Sequence, residues 1–228
     1  MVKRILAPLI FGLAGIAILL WLGFWQLDRL AWKEGVLAEI EARIGGAPEP
    51  LPVLVDPEAQ RYQPVALDGV IGDEVLRVLV SQKVVGAGYR LVSAFDTSGR
   101  RVLLDRGFVP VAEGDDSFDG GPAEVIGNLH WPDDRNSSTP ENDIAGNTWF
   151  ARDIGAMAEA LQTEPLLVVA REVDPGDARI DPLPVDTSGI PNDHLQYAIT
   201  WFSLALVWAV MTGALIWRQR SAKERHET

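Results

Sequence analysis

Three histidines are the residues best suited to acid–base or metal chemistry in this chain, which has no cysteine. The missing thiols exclude disulfides and thiolate metal sites, and with three methionines in total we do not expect copper delivery. His130 lies near the end of a predicted strand, and His226 lies in the C-terminal tail, two residues before the last residue of the sequence. A surface or partly packed side chain is the simpler interpretation of both, which leaves His194.

The acidic side chains are numerous, but they lie in turn-rich stretches. Asp115-Asp116, Asp133-Asp134, Glu141 and Asp143 are the main examples. Paired carboxylates can hold hard cations or transfer protons, yet in an acidic chain solvated loops are the simpler interpretation. No G-x-S-x-G, H-E-x-x-H or P-loop pattern is present. We therefore predict no catalytic residue from these patterns.

His194 differs from the other two histidines because a long apolar segment follows it. Asn192 or Asp193 can cap a helix that begins here. His194 would then share a helical face with aromatic and small residues, namely Tyr197, Ala198, Trp201, Ala205 and Trp208. An imidazole in such surroundings could ligate a haem iron whose porphyrin lies along the helix. The alternative is a histidine that only bonds to groups at a membrane boundary.

Two uncharged apolar segments must position these residues. Residues 5–25 and 197–217 are each 21 residues long, against the roughly 20 that cross the hydrocarbon of a bilayer. Tryptophans lie near their ends, as at membrane–water boundaries: Trp21, Trp25, Trp201 and Trp217. The first segment exceeds the roughly 7–15 apolar residues of a signal peptide, so we interpret it as an uncleaved anchor. The sequence predicts two transmembrane helices.

The charge distribution predicts their orientation. Residues 1–4 and 218–228, at the two ends of the chain, contain six basic and two acidic residues, a net charge of +4. Because the whole chain carries −12, residues 26–196 carry −16. By the positive-inside rule residues 1–4 and 218–228 are cytoplasmic, and residues 26–196 are periplasmic. A strongly acidic domain argues against nucleic acid as a partner. Since no Arg- and Ser-rich presequence is present, we expect a bacterial inner (cell) membrane.

Residues 26–196 are predicted to form one α+β domain with a largely antiparallel sheet and short helices. The first helix should continue as an amphipathic helix as far as Gly45-Gly46. A short helix is predicted at 153–161, and strands at 62–70, 75–80, 89–95, 101–109, 125–131 and 166–173. The loop at 96–99 should form a hairpin turn. Hairpins without regular strand–helix alternation favour an antiparallel sheet.

Four groups of residues in this order carry a family resemblance. They are GFWQLDRLAWK (23–33), GYR with VLLDRGFVP (88–90 and 102–110), WFARD (149–153), and NDHLQYAITWF (192–202). Together, inside the two-span arrangement, they resemble the surfeit locus protein 1 family of cytochrome c oxidase assembly factors over nearly the whole chain. One departure is Asp193, where that family often has Asn or Glu.

The resemblance implies a function without established catalysis. Members of this family help subunit I of haem-copper oxidase to acquire its haem, which here implies haem a as a transient cofactor and His194 as an axial ligand of its iron. Tyr197 and Trp201 would then lie beside the bound haem. The implied partners are cytochrome c oxidase subunit I, haem a synthase and the lipid bilayer.

Two interpretations remain open. In the first the protein carries haem a between its two spans, where Gly12, Gly15 and Gly23 would allow the helices to approach closely. In the second it is a membrane scaffold that binds no haem and stabilises a partly assembled oxidase subunit. Exposed aromatic and arginine residues would supply the scaffold's interface energy; the candidates are Trp32, Arg106, Phe108 and Trp149.

Overall fold

The protein divides into two compact units. The structure, a computed structural model, describes residues 2–82, 85–114 and 117–224, with the side chains of 2–5, 220 and 222–224 left aside. The first unit comprises Met1–Glu39 with Ser188–Thr228, and the second Ile40–Thr187. Asp115-Asp116 and His226 lie outside the described residues.

The first unit consists of two long helices. The helices of the chain are α1 (Val2–Ile44), α2 (Ile154–Leu161) and α3 (His194–Glu224), and α1 and α3 are long and apolar enough to cross a membrane. Their most apolar stretches are only 11% and 6% buried. A core helix of a soluble protein would hide such side chains from solvent. The predicted continuation of the first helix to residue 44 is confirmed.

The second unit is built on one mixed, mostly antiparallel sheet. Its strands are β1 (Glu49–Pro50), β2 (Pro64–Gln82), β3 (Gly86–Thr97), β4 (Arg100–Pro110), β5 (Gly121–His130), β6 (Thr148–Trp149) and β7 (Leu167–Asp174). Neighbours pair in the order β2-β3-β4-β7-β5, and β5 pairs again with β2. The five long strands therefore close into a barrel, which leaves none of them with an unpaired side along its whole length.

The prediction of two strands at 62–70 and 75–80 is wrong, because one strand covers both. β2 pairs with β5 through Pro64–Ile71 and with β3 through Val75–Gln82. Its register with β3 shifts between Ile71 and Val75. The polar Gly-Asp-Glu stretch that suggests a break is thus an irregularity inside a continuous strand, and such irregularities bend a strand so that a barrel can close.

The core occupies both sides of the sheet. One buried cluster takes side chains from all five barrel strands, including Phe95 and Leu104, as a barrel interior must. A second cluster packs α2, through Met157 and Leu161, against β-strand residues such as Leu103. Because Leu103 and Leu104 are both fully buried, β4 has no solvent-facing side along most of its length.

Local signals are confirmed at the hairpin and at α2. The β3–β4 hairpin turns at Ser98 (φ 47°) and Gly99 (φ 75°), the left-handed pair that a two-residue hairpin requires. Asp153 caps α2 by accepting a hydrogen bond from the backbone N–H of Ala156 at 3.2 Å.

Candidate functional site

α3 begins at His194, as the polar residues before it predict. The carbonyl of Asp193 accepts a hydrogen bond from the N–H of Tyr197 at 3.1 Å, which places Asp193 at the cap position of the helix. His194 is half-buried. The imidazole therefore belongs to the first residue of the apolar helix, where the helical hydrogen bond before it restrains the backbone.

Three glycines of α1 lie directly against α3. A side chain at Gly12 would overlap Thr212, one at Gly15 would overlap the indole of Trp208, and one at Gly23 would overlap the ring of Phe202. Trp208 also donates a hydrogen bond from Nε1 to the carbonyl of Gly12 at 3.2 Å. The expected close approach through small residues is thus confirmed.

The same side of α1 ends in a polar contact. Gln26 follows Gly23 by three residues, lies 9% exposed, and its Oε1 is 2.8 Å from Nδ1 of His194. Sequence reasoning missed Gln26. Its signal was available, because a glutamine three residues beyond a glycine of the helix contact lies on that same helical side.

The other predicted site residues of α3 differ in exposure. Ala198 and Ala205 are buried (1% and 4% exposed), whereas Tyr197 is 55% exposed and faces outward. Trp201 is half-buried, and its Nε1 is a buried donor without a partner among the described residues. Trp201 thus offers an unsatisfied N–H two helical turns from His194.

These features fit the requirements of one axial ligand of a haem iron. An imidazole whose Nδ1 is held by a hydrogen-bond acceptor presents Nε2 to the metal. His194 makes no other hydrogen bond with the described part of the chain. In that same part, no group of three or more His, Asp or Glu side chains could hold a metal ion by itself.

His130 lies in the second unit and has a different environment. Its ring stacks on Tyr62 with centroids 5.6 Å apart and planes 25° from parallel. Burial, reinforced by the positive charge of Arg152, lowers the pKa of His130 to about 4. The predicted partly packed histidine is what the structure shows.

The acidic loop before α2 is mostly solvated. Asp133 and Glu141 are exposed, and Asp143 accepts a turn hydrogen bond from Gly146 N at 2.9 Å. Asp134 instead pairs with Arg152 at 2.6 Å. Hydrogen bonds from Arg152 outweigh the opposing effect of burial and lower the pKa of Asp134.

Three of the four interface candidates are not on the surface. Arg106, Phe108 and Trp149 are 6%, 2% and 1% exposed, so the prediction that they are exposed interface residues is wrong. Arg106 and Phe108 belong to β4, which is covered on both sides, and Trp149 packs in the core beside α2. Trp32 is 52% exposed, with the guanidinium of Arg29 4.0 Å from its ring centroid.

Comparison with known proteins agrees with the arrangement of the segments. The model of the SURF1 family matches residues 13–206, which include most of α1, the whole barrel and the first part of α3. Surfeit locus protein 1 of Xenopus tropicalis is 28% identical over 215 residues, which cover 80% of this chain and 67% of that protein.

Other similar proteins come from animals and bacteria. Surfeit locus protein 1 of Homo sapiens is 29% identical, with 81% of this chain and 69% of that protein covered. A SURF1-like protein of Rickettsia felis is also 29% identical, with 83% of this chain and 88% of that protein covered. Because the family model matches most of its length, this chain belongs to the SURF1 family, generally known as cytochrome c oxidase assembly factors.

Proposed function

We propose that this protein is a membrane-anchored assembly factor that helps to insert haem a into, or hand it over to, subunit I of a haem-copper oxidase. His194 carries the proposal: it is the one histidine at the start of a membrane-length helix, and its Nδ1 is already held at 2.8 Å by Gln26. Haem a would supply the iron that this imidazole ligates. Tyr197 and Trp201 supply aromatic surface next to His194 on α3.

A single neutral imidazole suits transient binding. In the described residues of the first unit His194 is the only histidine, and the chain has no cysteine. One weak axial ligand allows release to an acceptor subunit, whereas two strong ligands would retain the haem. The proposed partners are accordingly subunit I, as acceptor, and haem a synthase, as donor.

The proposed location is a bacterial inner membrane with both termini cytoplasmic and residues 26–196 periplasmic. The exposed apolar sides of α1 and α3 need a lipid environment, and the basic flanks belong on the cytoplasmic side. Oxidase subunit I is a membrane protein, so the bilayer would bring donor and acceptor into one plane.

An absorption spectrum tests the haem role. The full chain is purified in mild detergent after co-expression with the haem a synthesis enzymes, next to His194→Ala and the control His226→Ala. We expect a haem a spectrum in the parent and in His226→Ala, and its loss in His194→Ala with an unchanged far-UV circular dichroism spectrum. A full haem signal in His194→Ala would show that the ligand assignment is wrong.

A second candidate function, a scaffold that binds no haem, is favoured by one surface feature. Val53 and Leu54 are 89% and 85% exposed, while Leu51 and Val55 on either side pack against the barrel core. The loop is held further by Arg100, which donates to the carbonyl of Pro52 at 2.7 Å. Two adjacent aliphatic side chains are thus presented on an anchored loop.

Co-purification distinguishes this scaffold role. If the loop binds subunit I, Val53→Ser with Leu54→Ser should reduce the amount of subunit I recovered with the protein. Ile144→Ser is the control, because Ile144 is also exposed (68%) but lies in the acidic loop. Equal recovery with the loop variant and the control would remove this loop from the interface.

A further inference from the structure

We propose that Gln26 is the positioning residue of His194: its amide oxygen holds the imidazole in the tautomer with the proton on Nδ1, which leaves the lone pair of Nε2 for an iron-bearing ligand. The ligand in this inference rests on the proposed haem function. The tautomer does not, because it follows from the contact of two side chains in the protein without haem.

The two atoms in contact determine the tautomer of His194. The atom of Gln26 that faces His194 is Oε1, at 2.8 Å from Nδ1. A carboxamide oxygen can only accept a hydrogen bond, so the proton of the pair must be on Nδ1. A neutral imidazole with Nδ1–H has its free lone pair on Nε2.

Gln26 and His194 depend on each other. Gln26 is 9% exposed, and a buried amide without a hydrogen bond is costly. Among the described residues the side chain of Gln26 has no hydrogen-bond partner other than His194. The imidazole therefore supplies the hydrogen bond that the buried amide of Gln26 needs, and Gln26 in turn fixes the orientation of the imidazole.

The packing of α1 against α3 constrains the backbone on either side of this contact. Gly23, one turn before Gln26, lies so close to α3 that a side chain there would meet the ring of Phe202. Phe24 and Phe202 also contact each other edge to face, with centroids 5.3 Å apart. The helices are thus packed tightly next to the polar pair, and the amide cannot swing away without disturbing these rings.

The hydrogen bond at Nδ1 affects how strongly Nε2 binds a metal. A hydrogen-bond acceptor on one nitrogen of a metal-binding imidazole fixes the ring and raises the basicity of the other nitrogen, and its loss costs about 10–100-fold in affinity. A neutral amide does this more weakly than a carboxylate. Gln26 therefore favours ligation by Nε2 while keeping the bond weak enough for release.

The tautomer is tested first, without any haem. The full chain is labelled with ¹⁵N-histidine in detergent, and the His194 ring nitrogens are assigned by their loss in His194→Ala. We expect a protonated Nδ1 and a bare Nε2 in the parent and in Gln196→Leu. Gln196 is the matched control because it is an exposed glutamine two residues from His194.

Gln26→Leu should change the tautomer, with proton density appearing on Nε2. If His194 carries its proton on Nε2 in the parent, or keeps Nδ1–H in Gln26→Leu, the positioning role is overturned. Each variant must give the same far-UV circular dichroism spectrum as the parent, so that misfolding is not mistaken for a change of tautomer.

The affinity is tested next by titration with ferric haem followed by its absorption. We expect the dissociation constant to rise about tenfold or more in Gln26→Leu, and to stay within twofold of the parent in Gln196→Leu. In Gln26→Glu it should not rise. Equal affinity of Gln26→Leu and the parent, with binding lost in His194→Ala, overturns the role of Gln26 while the proposed function stands. Failure of the parent to bind haem overturns the proposed function alone, since the tautomer is judged separately.

Discussion

Arg152 donates two hydrogen bonds to the carboxylate of Asp134, from Nε at 2.6 Å and from Nη2 at 3.1 Å. The same guanidinium lies 3.7 Å from the fully buried carboxylate of Asp105, which also pairs with Arg90. Arg90 in turn donates to the carbonyl of Leu183 at 2.9 Å. This buried chain of charges fastens the acidic loop and the segment that returns to α3 onto two strands of the barrel.

Asp105 is at the centre of this chain of charges, and we expect a large loss of stability in Asp105→Asn. Two largely buried guanidinium groups would lose their shared anion, which typically costs about 3–5 kcal/mol. Asp96→Asn is the control: its partner Arg101 is at 2.9 Å, but both side chains are more than 40% exposed, so the loss should stay below about 1 kcal/mol. Urea unfolding followed by tryptophan fluorescence measures both, and equal midpoints would contradict the prediction.

His130 predicts a weakening of the second unit at mildly acidic pH. Its pKa is about 4 in the folded protein, against about 6.5 in an unfolded chain. Between these values the unfolded chain binds a proton that the folded protein does not, so the free energy of unfolding falls as the pH is lowered from 6.5 to 4. Above pH 6.5 the contribution of His130 is fully present. The loss is at most about 3 kcal/mol.

Two measurements check this pH dependence. A histidine-selective NMR titration should give His130 a pKa of about 4, well below the ordinary histidine value of about 6.5. Thermal unfolding at pH 7 and pH 5 should show a smaller difference in His130→Gln than in the parent. An ordinary pKa for His130 would mean that water reaches the ring.

We expect substitution of Gly107 by a residue with a side chain to be strongly destabilising. Its φ is 129°, and a side chain there would overlap the carbonyl of Asp181, which accepts from Phe108 N at 2.8 Å. Gly107→Ala should therefore cost about 2–4 kcal/mol through strain and the loss of this bridge. Gly99 also has a positive φ, of 75°, but nothing lies within 4 Å of it, so Gly99→Ala should cost about 1 kcal/mol. Thermal unfolding of the two variants should rank them in this order.

The glycines of α1 predict that a larger side chain separates the two long helices. Gly15→Ile would push against the indole of Trp208 and break its hydrogen bond to Gly12. Gly35→Ile is the control, because nothing lies within 4 Å of Gly35. Cross-linking of Phe24→Cys to Phe202→Cys with a short bismaleimide, in a chain that has no other cysteine, should fall in the first variant and persist in the second.

Much of the fold could be predicted from the sequence because its signals are local. The helix that ends before Gly45-Gly46, the Asp153 cap and the hairpin at Ser98-Gly99 each depend on neighbours in the chain. The barrel could not be predicted in this way. Its closure depends on the pairing of β2 with β5, which are far apart in the chain, and on an irregularity that looks like a strand break.

The buried residues Arg106 and Phe108 of β4 show the same limit. An Arg-Gly-Phe segment has polar and aromatic side chains suited to an interface, and nothing local indicates that both sides of its strand are covered. Only the return of the chain against Phe108, through Asp181, and the position of Arg106 beside the carbonyl of Phe118 bury them.

By itself the sequence determined the two membrane-length apolar segments, the acidic domain between them, the absence of thiol chemistry and the position of His194 at a helix start, because composition, length and short-range capping decide these properties. Tertiary structure alone decided which group faces His194. Gln26 is 168 residues away along the chain, and it meets the imidazole because three glycines let α1 and α3 approach closely enough for the buried amide and the half-buried imidazole to satisfy each other.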